Sequence, residues 1–137
     1  MIYVLQLSFT RRETYNSLAS GISLETTLRF GELFINCEAK IDTGAEVCLF
    51  QRAIGEALQI PIEGGLKKRL ETLTGVLTAY GHQVVLETLG LQLQTIVYFA
   101  ASDEVKRNLL GRQGWLQLIR LGIVDYDREL YLSLYDE

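Results

Sequence analysis

One stretch limits what this chain can become. The apolar run Leu33 to Ile41 leads directly into Asp42-Thr43-Gly44-Ala45-Glu46. A β-like segment that ends on a carboxylate and then on small, turn-forming residues places that acid on a loop held by a buried strand. A rigidly held acid is a chemical tool. A second stretch, Asn108-Leu109-Leu110-Gly111-Arg112, supplies a brief apolar segment ending in glycine late in the chain.

The remaining sequence provides many short strands. At 137 residues the chain fits one domain, long enough to bury a core without staples. Residues 2 to 9 alternate loosely and predict a first strand, and the polar stretch Thr10 to Ser20 predicts a mobile connection. Thr26 to Phe30 and Leu33 to Ile41 form a hairpin around Gly31, which can take the positive φ of a tight turn. Val47 to Phe50 continues as a short strand. Gln51 to Gln59 suits a helix, weakened by Gly55 and stopped by Pro61. Leu66 to Leu86 is again β-like, with Gly75 at a hairpin tip, and a further hairpin joins Val84–Thr88 to Leu91–Phe99 around Leu89-Gly90. Leu109-Leu110-Gly111 is a brief buried strand, and Arg112 to Arg120 predicts a helix with Trp115, Leu118 and Ile119 on one face. The tail closes as a hairpin, Gly122 to Tyr126 against Leu130 to Tyr135. These elements predict an all-β, barrel-like domain with a short helix near the C-terminus.

Composition removes several classes of function. The formal net charge is −4, which gives no general attraction to nucleic acid or to an anionic membrane. The basic cluster Lys67-Lys68-Arg69 reads as a solvated strand or loop. With one histidine, His82, read as a strand-surface residue, and two cysteines, Cys37 and Cys48, lacking CxxC spacing, we expect no metal site, no cofactor and no disulfide framework. The cysteines read as small buried apolar side chains. No stretch approaches a membrane span, and Arg11-Arg12 follow the apolar N-terminal run, where a secretory signal would have its positive charge first. A cytoplasmic location is expected.

Ala39-Lys40-Ile41-Asp42-Thr43-Gly44-Ala45-Glu46 followed by Leu109-Leu110-Gly111-Arg112 resembles the two signatures of the retropepsin-like aspartic proteases, in the same order. The resemblance covers roughly residues 24 to 134, with residues 1 to 23 as an added strand and connection. It implies a single-lobe acid-protease barrel in which Asp42 is the catalytic acid. Thr43 would hydrogen-bond across to the matching loop of a second subunit, and Gly44 and Ala45 would permit close backbone approach. Leu109, Leu110 and Gly111 would cross beneath the acid loop, and Arg112 would form an ion pair with Glu46. The Gly75 hairpin would be the flap, so Thr74, Gly75 and Val76, with Ala45 and Glu46, are the expected substrate contacts. This hairpin lacks the several glycines common in viral flaps, which leaves its contact residues open.

Aspartic protease chemistry uses two carboxyls that share one proton, because like charges a few ångströms apart cannot both ionise. The chain has a single Asp-Thr-Gly, so the second acid must come from another copy across a two-fold axis. The resemblance thus implies a homodimeric aspartic endopeptidase acting on an extended peptide or protein. Residues 2 to 9 and 130 to 135 are candidates for pairing between subunits. The competing readings are a catalytically inactive dimerisation or peptide-binding module of the same fold, and an unrelated small β-barrel with Asp42 in an Asx turn.

Overall fold

The computed structural model describes residues 2–16 and 18–137. Met1 and Ser17, which belong to the expected first strand and connection, lie outside the described residues. The described residues form ten strands and one short α-helix, besides 3₁₀ turns: β1 (Arg11–Thr14), β2 (Ser23–Phe30), β3 (Leu33–Ile41), β4 (Leu49–Phe50), α1 (Arg52–Ala57), β5 (Leu66–Thr72), β6 (Gly75–Thr88), β7 (Leu91–Ala100), β8 (Leu109–Leu110), β9 (Ile119–Val124) and β10 (Glu129–Leu134).

Seven of these form one sheet in the order β2-β3-β8-β4-β7-β6-β5. The C-terminal part of β6 also pairs with β2, through Thr26 with Thr88 and Leu28 with Leu86, so the sheet curls into a barrel-like ring. Period-two alternation drives this closure. Leu91, Leu93, Thr95, Val97 and Phe99 on β7 all point inward, as do Leu24, Thr26 and Leu28 on β2. The expected hairpins are present. Gly31 turns β2 into β3 with φ 60°, and Leu89 and Gly90, both at positive φ, turn β6 into β7.

Gly55 has a packing role in α1. A Cβ there would lie 2.9 Å from the Phe99 ring, so its absence lets the helix sit against β7. Outside the ring, Arg52 holds Glu63 through two nitrogen–oxygen contacts of 2.6 and 3.0 Å and donates to the Ala101 carbonyl at 3.0 Å.

Three expectations are corrected. Residues 2 to 9 carry no strand; the large apolar side chains from Ile2 to Leu7 are exposed, and this segment has no partner strand among the described residues. The first strand is instead β1, inside the stretch expected to be a mobile connection. It pairs with β10, which in turn pairs with β9 in a separate three-stranded sheet. Long-range pairing here outweighs local propensity. The helix expected over Arg112 to Arg120 is reduced to one 3₁₀ turn at Leu116–Leu118. Gly114 explains this, because its φ of 97° is left-handed backbone that breaks a helix, and a side chain there would meet the Ile96 carbonyl at 2.6 Å. His82 is half-buried, its Nε2 lying 2.8 Å from the Ile62 carbonyl.

The short strand β8 positions the site. It runs parallel to β3, with Lys40 opposite Leu109 and Ile41 opposite Leu110, and antiparallel to β4. Immediately after it, Gly111 packs against backbone. A Cβ at that position would lie 2.1 Å from the Val47 carbonyl oxygen and 2.9 Å from that of Ala45. Gly111→Ala should therefore destabilise the fold by about 3 kcal/mol in urea unfolding, whereas Gly64→Ala, whose Cβ would meet nothing closer than Pro61 at 3.9 Å, should change stability by less than about 0.5 kcal/mol.

Candidate active site

Asp42 follows directly on β3, beside the short strand β8. Its backbone N–H donates to the Leu110 carbonyl at 2.9 Å, so the acid is fixed to β8 from its first atom. The loop then closes on itself: Ala45 N–H donates to the Asp42 carbonyl at 3.1 Å, and Gly44 N–H donates to Asp42 Oδ1 at 3.0 Å. The second contact is an Asx turn. It orients the carboxylate with a backbone donor and leaves Oδ2 without a protein hydrogen bond among the described residues. Asp42 is half-buried, whereas Thr43 and Gly44 are exposed.

The far side of the loop is held by the residues after β8. Arg112 N–H donates to the Ala45 carbonyl and Gln113 N–H to the Glu46 carbonyl, both at 2.9 Å. Val47 and Gln113 add an isolated parallel bridge. Beneath the loop, Cys48 Sγ accepts from Gly111 N–H at 3.4 Å and donates to the Gln113 carbonyl at 3.7 Å. Burial pushes the Cys48 thiol up to about 11, against a smaller lowering by the Gly111 N–H, so it stays a neutral packing group at physiological pH. Burial likewise pushes the half-buried Cys37 up to about 11. Both cysteines are free thiols.

Of the expected site residues, Asp42, Thr43, Gly44, Ala45 and Glu46 lie together on one loop, with Leu109, Leu110, Gly111 and the Arg112 backbone gripping it. The side-chain pairing differs from expectation. Glu46 Oε1 takes Lys68 Nζ as its partner at 3.0 Å, and the Arg112 side chain is exposed with no ion pair among the described residues. Lys68 belongs to the basic cluster read as simply solvated, and it sits on β5, the outgoing arm of the hairpin. Hydrogen bonding to Glu46 raises its pKa. The physical reason is register: the antiparallel pairing of β5 with β6 places Lys68 opposite Ala79 and directs its side chain toward the acid loop.

Thr74, Gly75 and Val76 stand at or beside the exposed tip of the β5–β6 hairpin. Thr72 Oγ1 donates to the Gly75 carbonyl at 2.8 Å and accepts from Thr74 N–H at 3.3 Å, so the tip is internally braced. No hydrogen bond or ion pair joins these three residues to the acid loop among the described residues. The Lys68–Glu46 bridge on the arm is the ion pair that links hairpin and loop.

Sequence reasoning assigned no role to Asn108. It is buried, its Oδ1 accepting from Gln51 N–H at 2.9 Å and its Nδ2 donating to the Glu38 carbonyl at 3.0 Å. One amide thus joins β3, the start of α1 and the entry to β8. A polar side chain directly before the Leu-Leu-Gly run was the signal that could have identified it.

Comparison with protein-family models and with curated proteins gives no match. Solved structures do match. EIAV protease complexed with the inhibitor HBY-793 aligns with a TM-score of 0.55 at 19% identity, covering 73% of this chain and 88% of the viral one. A retropepsin-like aspartic protease from Rickettsia conorii aligns with a TM-score of 0.59 at 14% identity, covering 81% of this chain and 89% of that one. The threaded acid loop, the Leu-Leu-Gly strand beneath it and the barrel-like ring around them are thus arranged in the fold of the retropepsin-like aspartic proteases.

Proposed function

We propose that this protein is a homodimeric aspartic endopeptidase in which Asp42 and its symmetry mate form the catalytic dyad. The observation that carries this reading is the presentation of Asp42: a half-buried carboxylate oriented by Gly44 N–H, on a loop pinned from below by β8, in a fold shared with known aspartic proteases. A single acid of this kind can activate water or donate a proton, but it cannot do both in one step. With a second copy, the ionised carboxyl takes a proton from the attacking water while the neutral one donates to the scissile carbonyl oxygen. Thr43 and Gly44 are exposed in the single chain, which suits residues that would meet the partner's loop.

The substrate on this reading is an extended peptide, bound by strand addition in the cleft between subunits. The β5–β6 hairpin serves as the flap that closes over it, and Thr74, Gly75 and Val76 are its contacts at the tip. Two free thiols, Cys37 and Cys48, fit a reducing compartment such as the cytoplasm.

Cleavage of a peptide library should be readily measured for the wild type, and Asp42→Asn should lower kcat/KM by about three orders of magnitude. Cleavage that survives this substitution would dismiss the dyad. No cleavage by either protein at any pH would favour a peptide-binding module without catalysis. The wild-type rate should follow a bell-shaped pH profile centred on the acidic side of neutral, with both limbs belonging to the pair of acids and not to either one. A rate that rises steadily through alkaline pH would point to a different chemistry.

A further inference from the structure

The connection from β1 to β2 and the β2–β3 hairpin together line two adjoining cavities, which share Gly21, Ser23, Cys37 and Glu38. Their charges are opposite. The first, of about 490 Å³, has Glu13, Glu25 and Glu38 in its wall and no cation among the described residues. The second, of about 460 Å³, extends to α1 and the entry to β8, and sets Lys40, Lys106 and Arg107 against the single carboxylate of Glu38. In a chain with 17 acidic and 13 basic side chains, this second cavity reverses the overall balance.

The rest of the chain does not neutralise these cations. Lys40 and Arg107 make no ion pair or side-chain hydrogen bond among the described residues, and Lys106 Nζ meets a neutral group, the Asp103 carbonyl, at 3.4 Å. Like charges gathered on one wall repel one another until an anion lies between them. Gly21 makes room for one of the three. A Cβ at that position would lie 2.5 Å from Lys40 Cε and 3.2 Å from Nζ, so the bare backbone is what lets the lysine end lie there. The hydroxyls of Ser20 and Ser23 share the wall as further donors, whereas the amides of Gln51 and Asn108 already donate to the Val105 and Glu38 carbonyls. A planar guanidinium with two ammonium groups suits a phosphate, whose oxygens accept from several directions at once. The cavity is of small-molecule size and exceeds a bare ion, so the phosphate has an organic body attached.

We propose that this cavity binds a small phosphate-bearing molecule, with Lys40, Lys106 and Arg107 on the phosphate. None of Asp42 to Glu46 lines it, so the site is distinct from the acid loop and does not rest on the protease reading. The two are nonetheless joined through backbone. Lys40 stands opposite Leu109 in the β3–β8 pair and its N–H donates to the Asn108 carbonyl at 2.8 Å. A ligand held by both Lys40 and Arg107 therefore ties together the two strands whose next residues hold Asp42.

Isothermal titration calorimetry of the full chain with inorganic pyrophosphate, at constant ionic strength, tests the site. The wild type should bind with a Kd below about 1 mM. Lys40→Met, which keeps the stem and removes the charge, and Arg107→Gln should each weaken binding by about tenfold or more, while Glu38→Gln, which removes the opposing charge, should strengthen it by about threefold. Lys67→Ala, which removes a charge from β5 outside the cavity, should change it by less than about twofold. Near-UV circular dichroism checks that each variant is folded, and should Lys40→Met fail to fold, the exposed Arg107 carries the test. No binding by the wild type, an affinity unchanged by Arg107→Gln, or an equal loss with Lys67→Ala would overturn the site. Citrate bound as tightly as pyrophosphate would overturn its selectivity for phosphate.

Discussion

The site depends on a strand of two residues. β8 lies between β3 and β4, and the chain that leaves it returns backbone hydrogen bonds to Asp42, Ala45 and Glu46 in succession. These bonds come from main chain, so they cost no side-chain entropy and do not depend on rotamers. The fit works because Gly111 has no side chain to hold the two backbones apart. With that contact in place the acid is anchored at both ends of its loop, and the Asx turn to Gly44 sets the orientation that remains. A larger residue at Gly111 would displace every one of these bonds together, since all of them span the same gap.

Much of this was legible in the sequence, for a physical reason. Inward-facing residues on β2 and β7 alternate because each strand has one buried face, and Gly31 and the Leu89-Gly90 pair mark turns that need positive φ. Asp42 to Ala45 and Leu109 to Gly111 were recognised through their resemblance to two family signatures, and the second carries a glycine, Gly111, where two backbones meet too closely for any side chain. β1 was not legible. Its four charged or polar residues carry no apolar pattern, and its existence depends on β10, more than a hundred residues away.

The errors at the C-terminal side share a cause. The apolar spacing of Trp115, Leu118 and Ile119 is compatible with a helix, but the segment is governed by what it must touch. Trp115 is fully buried and its Nε1 donates to Thr88 Oγ1 at 3.1 Å, while Gly114 turns through left-handed backbone to deliver it there. The family resemblance likewise paired Glu46 with Arg112, and in the folded chain Lys68 reaches it instead, from a strand positioned by the β5–β6 register. Side-chain pairing between distant elements is the level at which sequence pattern stops being informative.

That bridge also says something about how firmly the hairpin rests. Glu46 is more than half exposed, with 55% of its side chain open to water, and Lys68 is 30% exposed. A solvated pair of this kind adds little to stability and is weakened by dissolved salt. The contact is therefore a weak, salt-sensitive tie between hairpin and loop, whereas the acid itself is held by backbone bonds in which neither side chain takes part.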